Sequence, residues 1–196
     1  MTRKDESVVF SRLEDQIELN LLRQRKLMIN DSIDAATFYQ IARKLWYLED
    51  LDPKAPVTLI INSPGGSVDS GFAIWDQFKA CKCPIRTVVS GMAASMGSVL
   101  SLVSGKGHRY AFPNARIMMH QPLISGWVQG QASDLEITAT EIEKTKAKLV
   151  RLYVEATGKE QELIENTLDR DYWMSSEDAL NFGLLDKVIH SYDEIK

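Results

Sequence analysis

The sequence predicts an α/β fold in which helices flank a mainly parallel sheet, and three observations point to it. Val57-Thr58-Leu59-Ile60-Ile61 is a continuous run rich in β-branched residues, the pattern of a strand buried on both faces. Segments with apolar residues at helical spacing alternate with such runs, giving the order β-α-β-α-β. Glycine-bearing turns, Ser63-Pro64-Gly65-Gly66-Ser67 and Gly91-Met92-Ala93-Ala94-Ser95-Met96-Gly97, stand where strands pass into helices.

In chain order, residues 1–15 are polar and irregular apart from Val8-Val9-Phe10, and read as a flexible arm or a small hairpin. Ile17, Leu21 and Leu22 suit a helix from Ile17 to Arg25. Lys26-Leu27-Met28-Ile29 is a short strand closed by Asn30-Asp31. Asp34 caps a helix with Phe38, Ile41, Leu45 and Leu48 on one side, and Asp52-Pro53 ends it. After the strand at 57–61 comes a helix from about Val68 to Ala80. A strand from Ile85 to Val89 then leads to the Ser95 turn and a helix to about Val103, broken by Gly105 and Gly107. His108 to Ala111 and Arg116 to Met119 are two further strands, and residues 125–131 form an extended or hairpin-like insert. Ala132 to about Thr157 is one long helix stopped by Gly158; at 1.5 Å per residue it is about 39 Å long, too long to bury both ends in one small core. It is expected to project and pack on another copy. Short helices at Gln161–Leu168 and Ser176–Phe182 follow, the latter capped by Gly183.

At 196 residues the chain fits one domain, 17–196, behind a segment at 1–16. Apolar residues make up 44% and charged ones 26%, which excludes a disordered chain, and no apolar stretch reaches a membrane-spanning length. A net charge of −4 speaks against nucleic acid. Met1-Thr2-Arg3-Lys4-Asp5-Glu6 does not resemble a secretory leader, so a cytoplasmic protein is expected. Cys81 and Cys83, the only cysteines, lack the further ligands of a metal site and are too close in sequence for a good structural disulfide. No metal or cofactor is expected.

Ser95, flanked by small residues at a strand-to-helix turn, has the setting of an activated nucleophile. Acyl transfer by a serine needs a base, a group that orients the base, and donors for the oxyanion. Of three histidines, His108 adjoins Arg109 at a polar strand edge and His190 is near the C-terminus. His120 ends the apolar strand Ile117-Met118-Met119, where open α/β sheets gather active residues, and is the best base. Met96 N–H, one residue after the nucleophile, and the N–H of Gly66, in a turn open to close approach, are the expected oxyanion donors. For the orienting acid Asp169, Asp171, Asp178 and Asp186 are all available. Asp178 faces solvent on a helix and Asp186 caps a turn, whereas Asp171 precedes Tyr172-Trp173-Met174 and fits a buried carboxylate.

These residues resemble the proteolytic subunits of the Clp protease, ClpP. The matching runs are Ile61–Ser67, Gly91–Gly97, Phe112–Pro122, Gly130–Asp134, Asp169-Arg170-Asp171 and Ala179–Asp186, in the family's order and spacing from about Ile17 to Ile189. The resemblance implies a ClpP/crotonase-like fold of stacked, mainly parallel sheets with flanking helices. The region at about 123–160 would be a handle built on the projecting helix. Ser95 would be nucleophile, His120 base, Asp171 acid, and Gly66 and Met96 the oxyanion hole. It further implies two stacked heptameric rings, joined by the handle and by a strand at 126–131. This serine endopeptidase would cut unfolded polypeptides to short peptides, fed by an AAA+ unfoldase of the ClpX, ClpC or ClpA type. ATP is used by that partner, not by this chain.

Four departures from the family pattern stand out. The segment before Ile17 does not match the usual axial loop, residues 123–128 are two longer than the common glycine-rich version, and no obvious propeptide precedes the start. Thr58, Ile60 and Ala80 replace aromatics of the surface pocket that grips the unfoldase, so weak or altered docking is expected. Such departures suit a second paralogue that completes or activates a mixed ring and has little activity alone. A crotonase-type acyl-CoA enzyme, an idle structural subunit and a Ser/Lys peptidase using Lys106 are the alternatives.

Overall fold

A computed structural model describes residues 3–123 and 131–195, with side chains for 12–123, 131 and 133–195. Helix α1 spans Arg3–Arg23. The arm or hairpin expected over residues 1–15 is therefore not formed in its described part. No Gly or Pro interrupts this stretch, and its Arg, Lys, Glu, Gln and Leu are good helix formers, so nothing stops the helix before its N-terminus. Arg25 ends it in a left-handed turn (φ 55°). The cost of that conformation is offset by guanidinium bonds to the carbonyls of Asp52, Ala55 and Pro56.

Strand β1 (Lys26–Ile29) and helix α2 (Ala35–Leu51) follow, with Asp34 and Thr37 forming a capping box. Next come β2 (Val57–Ser63), α3 (Val68–Ala80), β3 (Ile85–Ala94), α4 (Met96–Leu100), β4 (Arg109–Ala111) and β5 (Arg116–Met119). The second half contains α5 (Ala132–Thr157), α6 (Gln161–Leu168), β6 (Tyr172–Ser175), α7 (Ser176–Phe182), β7 (Lys187–Val188) and a final 3₁₀ turn, Tyr192–Glu194. The insert expected at 125–131 and the strand at 126–131 lie, but for Gln131, outside the described residues.

Strands β1, β2, β3, β4 and β7 run parallel in that order. Strand β3 serves two layers: Thr87–Val89 pair with β4, and Met92–Ala94 continue as a parallel partner of β5. Strand β6 then pairs antiparallel to β5. Leu27, Ile29, Leu59, Ile61 and Val89 of the sheet pack with Ile41, Leu45 and Leu48 of α2 and with Ile74 and Phe78 of α3.

Only the last turns of α5 join this core, through Leu149, Val150 and Tyr153. No residue from 133 to 148 is buried, so the helix projects as its length predicts, with Leu135 and Ile137 exposed. Arg109 is buried rather than at a polar edge. It meets both carboxylate oxygens of Asp186, at 2.5 and 2.9 Å, and the carbonyls of Ala156 and Gly183. Asp186 thus locks the end of α5 to the sheet instead of capping a local turn.

Candidate active site

The turn at Ser95 starts from a conflict that the fold imposes. Ser95 adopts φ 54°, ψ −122°, a conformation costly for a residue with a Cβ. Three features hold it there. Its N–H donates to Met118 O of β5 (3.0 Å). Its carbonyl accepts from the N–H groups of Ser98 and Val99 as α4 begins (3.0 and 3.3 Å). Gly65, at φ 95°, lets the turn after β2 lie against it, where a Cβ would stand 2.6 Å from Ser95 Cβ. That turn is itself pinned to Ile33, which donates to Gly65 O and accepts from Ser67 N–H, both at 2.8 Å.

His120 directly follows β5, and Ser95 Oγ lies 2.8 Å from its Nε2. Asp171 Oδ1 lies 3.0 Å from Nδ1. An ionised carboxylate only accepts, so Nδ1 carries the ring hydrogen and Nε2 is free to take the hydroxyl proton. The pairing of β5 with β6 brings the two together: Met119 is opposite Tyr172, so the next residue on each strand, His120 and Asp171, meet just past the ladder. Gln121 secures the arrangement. Its N–H donates to Leu168 O (2.7 Å), and its side-chain amide donates to Asp169 O (3.0 Å).

The expected burial of Asp171 is not found. Its side chain is 62% exposed while that of His120 is 14% exposed. The loop after α6 runs along the surface, and Tyr172 and Trp173 are exposed too, so one face of the carboxylate stays in water. The other aspartates are occupied elsewhere: Asp169 accepts from Gln121, Asp178 closes the N-terminal cap of α7 with Ser175, and Asp186 holds Arg109. Lys106 lines a separate cavity with Trp75 and Lys79, which removes it as a base for Ser95.

A cavity of about 410 Å³ opens over Ser95. Gly66, Met96 and His120 line it beside the apolar Val68, Val99 and Leu149, so every expected site residue except Asp171 borders one space, and Asp171 stands behind the imidazole. Gln121, Ser98 and Tyr153 were not singled out from the sequence. Tyr153 was within reach there, four residues after Leu149 on the same helix face; the other two show no pattern of their own. Among the described residues, no three His, Cys, Asp or Glu side chains are grouped to hold a metal ion.

Comparison with known proteins gives the family. The family model described as Clp protease matches residues 11–192. This chain belongs to the Clp protease family. It is 53% identical over 193 residues to the ATP-dependent Clp protease proteolytic subunit 1 of Protochlamydia amoebophila, covering 98% of this chain and 94% of that one. Against the protein of the same name from Chlamydia muridarum it is 50% identical over 190 residues, covering 97% and 99%. The Chlamydia pneumoniae counterpart is 50% identical over 184 residues, covering 94% and 96%. As a Clp protease, the chain is a serine-type peptidase with the α/β fold described above. Among the described residues of this Clp subunit, no helix is long and apolar enough to cross a membrane.

Proposed function

We propose that this Clp subunit cleaves polypeptides by acyl transfer through Ser95, His120 and Asp171, with Gly66 and Met96 N–H as oxyanion donors. The single observation that carries this is the unbroken run of contacts from Ser95 Oγ through both nitrogens of His120 to Asp171, at 2.8 and 3.0 Å. Ser95 Oγ adds to the scissile carbonyl as its proton passes to His120 Nε2. The imidazolium formed is steadied by Asp171, and the oxyanion faces the two N–H donors. Collapse expels the amine, which takes the proton from His120, leaving an ester on Ser95. A water, deprotonated by the same nitrogen, hydrolyses that ester and restores the enzyme.

The proposal extends to the assembly. The projecting α5 and its exposed Leu135 and Ile137 support a handle that packs on another copy, within two stacked heptamers enclosing a chamber. Unfolded substrates enter from an AAA+ unfoldase of the ClpX, ClpC or ClpA type, which uses the ATP; the chain itself needs no cofactor and works in the cytoplasm. A second version, a subunit that completes or activates a mixed ring and is weak alone, is favoured by two observations. The relatives are named proteolytic subunit 1, and Thr58, Ile60 and Ala80 offer no aromatic to an unfoldase.

Ser95→Ala should abolish fluorogenic-peptide cleavage and leave the oligomer intact by native mass spectrometry. Cleavage at the wild-type rate would reject Ser95. Native spectra of the chain alone and with a paralogue, taken with cleavage rates, separate the uniform ring from the mixed one.

A further inference from the structure

Helix α5 sends one side chain to the nucleophile turn. Tyr153 is 1% exposed, and its ring forms part of the inner wall of the Ser95 cavity beside Leu149. Its hydroxyl lies 2.6 Å from Ser98 Oγ, and Ser98 Oγ lies 2.7 Å from the Ser95 carbonyl oxygen. A carbonyl has no proton to give, so the one hydroxyl proton of Ser98 goes to Ser95, and Tyr153 is the donor to Ser98. The result is a one-way relay: Tyr153 O–H to Ser98 O–H to Ser95 C=O. Burial pushes the Tyr153 phenol above its ordinary value, so this donor keeps its proton wherever a histidine base works.

The oxygen at the end of the relay belongs to the peptide unit joining Ser95 to Met96. That unit is planar and trans, so its C=O and N–H point in opposite directions. Whatever fixes Ser95 O also fixes the aim of Met96 N–H, one of the two oxyanion donors. The backbone bonds from Ser98 and Val99 to the same oxygen belong to a helix of only five residues, and they hold a residue in a costly conformation. The side-chain relay supplies the remaining restraint, and its far end is anchored in α5.

We propose that Tyr153 is a positioning residue for acyl transfer: acting through Ser98, it holds the Ser95–Met96 peptide plane at the angle that directs Met96 N–H to the oxyanion. This rests on Ser95 being the nucleophile. It links turnover to the seating of α5, the element that projects from the domain.

Tyr153→Phe removes the hydroxyl and keeps the ring. Steady-state cleavage of a fluorogenic peptide by the assembled protein is measured together with inhibition by a peptide boronate, whose tetrahedral serine adduct mimics the oxyanion. Loss of one relay bond should lower kcat roughly 3- to 10-fold. KM should stay within about twofold, and the boronate should weaken by the same factor as kcat. Ser98→Ala, which cuts the relay at its centre, should cost roughly 10- to 100-fold in kcat. The double variant should be no worse than Ser98→Ala, because both remove one chain of bonds. An unchanged kcat in Tyr153→Phe, a loss confined to KM, or a double variant showing the product of the two losses overturns the proposal. If Tyr153→Phe does not assemble, Ser98→Ala decides: an unchanged boronate affinity there has the same force. Fluorophosphonate labelling of the wild type separates the two levels. No label at Ser95 rejects the nucleophile itself, whereas a labelled Ser95 with full activity in Tyr153→Phe rejects only the relay.

Discussion

Gly65→Ala tests how closely the turn after β2 must approach Ser95. A Cβ at Gly65 would stand 2.6 Å from Ser95 Cβ, 2.7 Å from Ala94 O and 3.0 Å from Met96 N. Carbon atoms pack at about 3.5 Å or more, so the turn must retreat by roughly 1 Å or push Ser95 back by as much. The backbone cannot relax to help, since φ is 95° and alanine there adds a strain of about 1–3 kcal/mol. Retreat carries Gly66 N–H, the proposed oxyanion donor, away from Ser95. A misplacement of 1 Å costs about 10²-fold, and loss of one oxyanion donor about 10²–10³-fold. The expected kcat is therefore roughly 10²-fold below wild type. The assay is fluorogenic-peptide hydrolysis with kcat and KM resolved, on particles whose assembly has been checked by native mass spectrometry. A kcat within threefold of wild type in intact particles would refute the close-approach reasoning.

Asp171→Asn should lower kcat through loss of the Nδ1–H tautomer. A buried aspartate in this role is worth about 10⁴-fold, and the 62% exposure of Asp171 makes about 10² the expected loss; an unchanged rate would move the acid elsewhere. Burial alone would raise the Asp186 carboxyl, but hydrogen bonds and charge from Arg109, with Gly107 N–H, hold it below its ordinary value of 3.8. A lowered folded-state value gives stability that is present above the unfolded carboxylate range and is lost as pH falls through the folded value. Asp186→Asn should therefore be less stable than wild type to urea at pH 7, with the gap narrowing below about pH 4. A gap that does not change with pH would contradict this role for the ion pair.

Elements with strong local signals were legible in the sequence. Asp34, Ser67, Gly158 and Gly183 mark helix ends where the structure has them, and the run at 57–61 is the interior parallel strand β2, paired on both sides by β1 and β3. Elements made by long-range pairing were not. Ser90–Ala94 carries small residues with no strand signature and extends β3 because β5 lies beside it. Tyr172–Ser175 is a strand only because β5 offers an antiparallel edge, although that pairing brings Asp171 to His120. The Arg109–Asp186 lock joins residues 77 apart, a distance at which spacing carries no information. At the site, Ser95 and His120 were readable because each ends a strand in a distinctive local context. The exposure of Asp171 was not, because two aromatic neighbours suggest burial while the surface course of their loop exposes all three.

The most direct measurement is the reaction of the assembled protein with a fluorophosphonate, with the adduct mapped by mass spectrometry. Phosphonylation of Ser95, and a rate at least 100-fold slower in His120→Ala, are expected if this imidazole takes the hydroxyl proton. An adduct on another residue, no adduct, or an undiminished rate in the variant would contradict it.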